Sequence, residues 1–83
     1  MLRDTVVYIL FSEKTAKYYT GKTTNFERRF FQHNAGFNTS TKSGIPWVAI
    51  WNSELIEDRE AGILEKKIKK RGAARFLADI AEK

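Results

Sequence analysis

The run Thr5-Val6-Val7-Tyr8-Ile9-Leu10-Phe11 constrains this chain more than any other segment. β-Branched and aromatic residues favour extended backbone. No polar residue alternates with the apolar ones, so the strand they form must be covered on both faces. A chain of 83 residues buries only about 60% of its unfolded surface, enough for one modest core. We therefore expect one domain over residues 1–83, with helices packed on a sheet too small to close on itself. At 42% hydrophobic and 13% aromatic residues, the composition is that of a globular rather than a disordered chain.

The remaining segments fall into place around that strand. Ser12 to Thr15 is a short polar link, and Ala16–Thr20 reads as a second strand closed by Gly21, which makes a β-hairpin. Thr24 and Glu27 have capping-box spacing, so a helix is expected from there through Asn34, with Gly36 as its stop. Asn38 to Gly44 reads as a mobile polar loop. Pro46 opens a third strand, Trp47–Trp51, at a position where it removes no central ladder bond. Asp58–Arg71 is a second helix ended by Gly72, and Ala73–Ala81 a third, with Phe76, Leu77 and Ile80 at helical spacing. The order is β-β-α-β-α-α.

Several function classes are excluded. Without cysteine there is no disulfide framework and no thiolate zinc site, and a single histidine excludes His-rich metal sites. No apolar run approaches the ~20 residues of a membrane span. Asp4 and the shortness of Val6 to Phe11 argue against a secretory leader, so a soluble, cytoplasmic protein with no membrane partner is expected. With 15 Lys and Arg against 10 Asp and Glu, the net charge of +5 permits a polyanionic partner. Its distribution says more. Lys66, Lys67, Lys69, Lys70, Arg71 and Arg75 crowd one stretch without an acid, just after Glu54, Glu57, Asp58 and Glu60. Two readings stand side by side: a solvated face suited to a helix C-terminus, or a surface that contacts phosphates.

Each of the first two helices carries polar groups at the edge of its apolar face. At about 100° per residue, Phe26 and Phe30 define a buried stripe, His33 projects onto that stripe and Arg29 beside it, while Arg28 points away. On the second helix Ala61, Leu64 and Ile68 form the stripe, Glu65 sits at its edge, and Lys66, Lys67 and Lys70 point outward. Glutamate is rarely buried unless it is paired or bound to a metal. Arg29 and Glu65 are thus either an internal ion pair or parts of a pocket in which the arginine faces an anion and the carboxylate holds a divalent cation. Tyr8, Tyr18, Tyr19 and Lys22 come from the strands; strand tyrosines alone are ordinary packing residues.

Taken in order, these residues resemble a known pattern. Val6-Val7-Tyr8 and Tyr19-Thr20-Gly21 are similar to the paired tripeptides of the GIY-YIG nuclease family. The likeness runs on through Lys22 to Arg29, His33-Asn34, Pro46-Trp47 and Ala61 to Lys66, nearly the whole chain, and is nearest to the small stand-alone bacterial branch. The ordered set of Tyr, Tyr-x-Gly, Lys, Arg, His and a helical Glu is more specific than the tripeptides alone.

The resemblance implies an α+β fold with a three-stranded antiparallel sheet flanked by helices. It also implies hydrolysis of DNA phosphodiesters with Mg²⁺ or Mn²⁺. Members of the family include homing endonucleases and the incision subunit of bacterial nucleotide-excision repair, so repair or recombination is the implied setting. By the same resemblance Glu65 holds the metal and Arg29 stabilises charge on the scissile phosphate. Tyr8 activates or orients the attacking water, Tyr19 and Lys22 line the pocket, and His33 lies near the substrate. Phosphodiester hydrolysis develops negative charge on oxygen, which a hydrated cation and a guanidinium fork can meet. A tyrosine near pKa ~10 is a poor base unless a cation lowers it, which gives Lys22 a part in the expectation.

Three departures are plain. Val6-Val7 replaces Gly-Ile, Thr20 replaces Ile, and no Asn follows the second helix, where some members carry one. No further DNA-binding domain is expected, so targeting rests on the domain itself or on a protein partner. The partner implied is nucleic acid, DNA over RNA. Two other readings stay open: a nucleic-acid-binding module with little catalysis, and an interaction domain anchored through Trp47 or Trp51.

Overall fold

In the computed structural model, residues 2–82 are described. The elements are β1 (Arg3–Ser12), β2 (Lys17–Thr23), α1 (Phe26–Asn34), β3 (Trp47–Asn52), β4 (Ile56–Glu57), α2 (Asp58–Arg71) and α3 (Ala73–Ala81), with a 3₁₀ turn at Lys42–Gly44. The antiparallel sheet has the order β2-β1-β3, and β4 pairs antiparallel with the start of β1. The sheet thus gains a short fourth strand that hydropathy could not reveal, because two residues carry no period. Between β3 and β4 the ladder is continued by Ser53. Its N–H donates to the Val7 carbonyl at 2.8 Å and its Oγ accepts from the Val7 N–H at 2.9 Å.

β1 is covered on both faces, as its unbroken apolar run requires. Val7 and Ile9 pack with Ala61, Ile68 and Phe76, joined by Trp51, Leu64, Leu77 and Ile80, so this face belongs to α2 and α3. Tyr8 and Leu10 pack with Trp47, Tyr19, Phe26, Phe30 and Ile45, so the other belongs to α1 and the segment before β3. Burying a side chain such as Ile9 or Leu10 stabilises the fold by about 1.5–3 kcal/mol. Both tryptophans are committed to these cores: Trp47 is 7% exposed, and Trp51 meets Phe76 edge-on at 5.1 Å. The partner anchor considered for them is therefore not an exposed indole.

Local differences from expectation have local causes. β2 does not close at Gly21 but continues to Thr23, because Gly21 pairs with Tyr8 inside the hairpin. The cap of α1 is Asn25 rather than Thr24, its Oδ1 accepting from the Arg28 N–H at 3.1 Å. The preceding Thr23 hydroxyl accepts from the Asn25 N–H and moves the helix start on by one residue. Residues 38–46 are a chain of turns rather than open loop. They are tied down by Asn34, whose side chain accepts from the Trp47 N–H at 2.6 Å and donates to the Trp47 carbonyl at 3.1 Å. The indole N–H of Trp47 in turn donates to the Thr41 carbonyl at 2.7 Å. α2 and α3 have the expected spans. Gly72, at φ +93°, turns the chain between them, and Arg71 clasps Asp79 through two bonds of 2.9 and 3.0 Å. Among the described residues no helix is long and apolar enough to cross a membrane.

Candidate active site

The site is organised around Tyr8. Alternation along β1 aims this side chain at α1, where it is 1% exposed. Its cross-strand neighbour is Gly21, and the ring lies directly over that residue. A Cβ on Gly21 would stand 2.6 Å from the Tyr8 hydroxyl and 2.8 Å from Cζ. Glycine is thus needed for the close approach, not for an unusual backbone angle.

α1 brings His33 to the far end of the tyrosine. His33 is fully buried; its Nε2 is 2.9 Å from the Tyr8 hydroxyl and its Nδ1 is 2.9 Å from Thr41 Oγ1. The direction of these bonds can be worked out. Thr41 uses its one hydroxyl proton on the Asn38 carbonyl at 3.3 Å, so it accepts from Nδ1–H. Burial, and then the Arg29 charge, push the His33 pKa below its ordinary value, so the ring is neutral near pH 7. Its Nε2 carries the free lone pair and accepts from the Tyr8 O–H. The result is a directed chain from Tyr8 through His33 and Thr41 to Asn38.

Arg29, one turn before His33, is half-buried and donates to Gln32 Oε1 at 3.2 Å. Its guanidinium also acts on the Tyr8 hydroxyl, favouring the phenolate through hydrogen bonding and charge. Burial and the neighbouring Tyr19 outweigh it, and the Tyr8 pKa is pushed up to about 12. Tyr19 closes the other side, with its ring 4.8 Å from that of His33 and 6.2 Å from that of Tyr8. Glu65, on the inner edge of α2, also raises the Tyr8 pKa through its charge, which puts its carboxylate within electrostatic reach of the same hydroxyl.

Tyr8, Tyr19, Arg29, His33 and Glu65 therefore share one neighbourhood. The internal ion pair considered for Arg29 and Glu65 does not form; Glu65 pairs with Lys69 at 3.2 Å. Lys22 is held at the margin by Asp58, in the first turn of α2, at 2.7 Å. That bond raises the lysine's pKa. The cation that acts on Tyr8 is Arg29, where the sequence pointed to Lys22. The basic stretch divides as well. Lys69 sits on Glu65 and Arg71 on Asp79, while Lys66, Lys67, Lys70 and Arg75 are exposed. Sequence reading missed Thr41 altogether and took Gly21 only for a strand end. Thr41 gave no signal, since it lies in a polar tract and acts on a residue eight positions away.

Among the described residues no cluster of three or more His, Cys, Asp or Glu could cage a metal ion. The Glu65 side chain is 19% exposed, and it is paired with a flexible lysine. A single reachable carboxylate suits a hard cation that keeps most of its water and takes further oxygens from a phosphate. It does not suit zinc, which needs several protein ligands.

The model of the GIY-YIG catalytic domain matches residues 5–76. No curated protein and no solved structure matches the chain. The matched span covers the sheet from Thr5 onward, α1, α2 and the start of α3, and includes every residue of the Tyr8 neighbourhood. On that match, and on the α+β fold that carries it, this chain belongs to the GIY-YIG family of nuclease domains.

Proposed function

We propose that the chain is a divalent-metal-dependent endonuclease that hydrolyses phosphodiester bonds of DNA in preference to RNA, in the setting of repair or recombination. The observation that carries this reading is the directed hydrogen-bond chain from the Tyr8 hydroxyl to neutral His33 and Thr41, with the charges of Arg29 and Glu65 both acting on that hydroxyl. Packing alone does not call for a buried phenol aimed at a buried imidazole lone pair. A proton acceptor does.

In this reading Tyr8 takes a proton from the attacking water as its own proton passes to His33 Nε2. With a pKa near 12, Tyr8 is no reservoir of phenolate at pH 7, so the two transfers must be linked. Arg29 meets the charge that develops on the phosphate oxygens. Mg²⁺ or Mn²⁺, when bound, supplies Lewis-acid stabilisation, and Glu65 would hold it once Lys69 swings aside. Tyr19 and Lys22 shape the margin, and the basic residues from Lys66 to Arg75 draw in the nucleic acid. The protein acts within the cytoplasm, as one domain or with a targeting partner.

The test is cleavage of supercoiled plasmid and of branched duplexes with Mg²⁺ or Mn²⁺, comparing the natural chain with Glu65→Gln. Metal-dependent cutting that Glu65→Gln abolishes is the expected result; equal cutting by both would place the chemistry elsewhere. A second reading, a binding module with little catalysis, is favoured by the Lys69–Glu65 ion pair and the missing Asn after α2. It predicts salt-sensitive binding with no cutting by either chain.

A further inference from the structure

α2 and α3 enclose a cleft of about 430 Å³ that lies outside the site described above. Its lining is Lys67, Lys70, Arg71 and Arg75 around Phe76 and Asp79. Four cations thus face one carboxylate, and that carboxylate is already bonded twice by Arg71. The first turn of α3 adds to the positive potential. Its cap, Gly72, offers no side-chain bond to the helix N–H groups, no acid lies in that turn, and Arg75 sits there instead. A cation at a helix N-terminus is unfavourable unless an anion answers it.

The cleft is also in a definite place relative to Glu65. At about 100° per residue, Lys69, Lys66, Lys70, Lys67 and Arg71 follow one another around α2, starting beside Glu65 and ending in the cleft. They form a continuous basic band over the outer face of the helix. A helix is about 10–12 Å across, so the two ends of the band are separated by about that distance in a straight line, which corresponds to about three phosphates along one strand of a duplex.

We infer that the α2–α3 cleft is a second phosphate-binding site, which grips the sugar–phosphate backbone of a duplex several nucleotides from the bond held at Tyr8 and Glu65. The inference rests on the nucleic-acid reading above and deepens it, since it assigns the substrate a path across α2. Lys67, Lys70 and Arg75 are the contacting residues. Arg71 is the positioning residue, because through Asp79 it fixes α3 against α2. Phe76, 9% exposed, forms the apolar floor that keeps the cations at the rim.

The experiment measures binding of the full chain to a fluorescent 20-base-pair duplex in EDTA, from low to moderate salt, so that no cleavage intervenes. Lys67→Gln/Lys70→Gln/Arg75→Gln is compared with Arg3→Gln/Lys14→Gln/Lys42→Gln, which removes the same charge from exposed positions elsewhere. Circular dichroism and the urea midpoint confirm that both variants are folded. Three lost phosphate contacts should lower the slope of log K against log[salt] by about 2–3, with at least tenfold weaker binding at 0.1 M salt, while the control changes the slope by less than one. Equal loss in the two variants would mean that bulk charge alone acts, and no loss in the cleft variant would mean that phosphate does not go there; either overturns the inference. Plasmid cleavage separates the two claims. A cutting enzyme whose cleft variant binds like the natural chain leaves the nuclease reading standing and removes only the cleft, whereas a chain that binds no duplex removes both.

Discussion

Replacing Gly21 by alanine tests the geometry at the centre of the site without touching a reactive group. The new Cβ would lie 2.6 Å from the Tyr8 hydroxyl, 2.8 Å from its Cζ and 3.1 Å from Tyr19 Cε2. Ordinary carbon contacts begin near 3.5 Å, so the Tyr8 hydroxyl must withdraw by almost an ångström. It has little room, being 1% exposed and held by His33 at 2.9 Å. Overpacking of this kind costs about 1–3 kcal/mol, and an acceptor left unpaired on buried His33 about 1–3 kcal/mol more. The loss of glycine's freedom in the unfolded chain returns about 0.4–1 kcal/mol. The net is a destabilisation of at least about 1 kcal/mol, which in a domain of this size lowers Tm by at least about 4–8 °C. Cleavage should fall further, by about a hundredfold, since a misplacement near 1 Å has that effect on a positioned group.

Urea unfolding gives the stability, and plasmid cleavage gives the rate. The decisive comparison is a cycle with Tyr8→Phe. Without the hydroxyl the nearest contact disappears, so Gly21→Ala should cost less in the Tyr8→Phe background, with a coupling of about 0.5–3 kcal/mol. An unchanged urea midpoint for Gly21→Ala, or strict additivity with Tyr8→Phe, would refute the account of Gly21 as the floor beneath Tyr8.

Other outcomes follow from the same hydrogen-bond chain. Thr41→Val strands the buried Nδ1–H of His33 and should destabilise by about 1–3 kcal/mol, while Thr41→Ser restores most of it; equal midpoints for the two would show that Thr41 does not set the tautomer. His33 binds its proton less readily folded than unfolded. Stability is therefore full above the unfolded value of about 6.5 and falls as pH drops below it, by at most about 1.4 kcal/mol per pH unit, until the folded value is passed. Urea midpoints between pH 7.5 and 5 should show this slope, and His33→Gln should lack it. Tyr8 has the opposite sign. With its pKa at about 12 folded and about 10 unfolded, its contribution is full below pH ~10 and about 2–3 kcal/mol is lost as pH rises to ~12, a loss that Tyr8→Phe removes.

The elements were legible to the extent that period and punctuation fixed them. α2 and α3 have the spans read from apolar spacing and Gly72; α1 carries His33 within its buried stripe and Arg29 beside it, and α2 carries Glu65 at its edge, as the 100° projection requires. Boundaries moved where a side chain competed for a backbone group, as Thr23 did at the start of α1. β4 was invisible because its pairing is specified by β1 and by Ser53, not by its own two residues. Residue types and order pointed to side chains that the fold brings together around Tyr8. The pairings did not follow: Glu65 took Lys69, a neighbour along the helix, and Lys22 took Asp58, thirty-six positions away.

The chain by itself determined that β1 would be buried on both sides, which residues stand on the inner faces of the helices, and that titratable groups unsuited to packing lie there. The directions of these side chains, though not their chemical roles, follow from local backbone geometry, where a fixed rotation per residue turns order into direction. Only the tertiary structure decided that Tyr8 lies over Gly21 and reaches His33, that Thr41 orients the imidazole, and that the basic stretch ends in a cleft against α3. Those depend on distances between elements brought together by the sheet, and no local pattern encodes a distance across the fold.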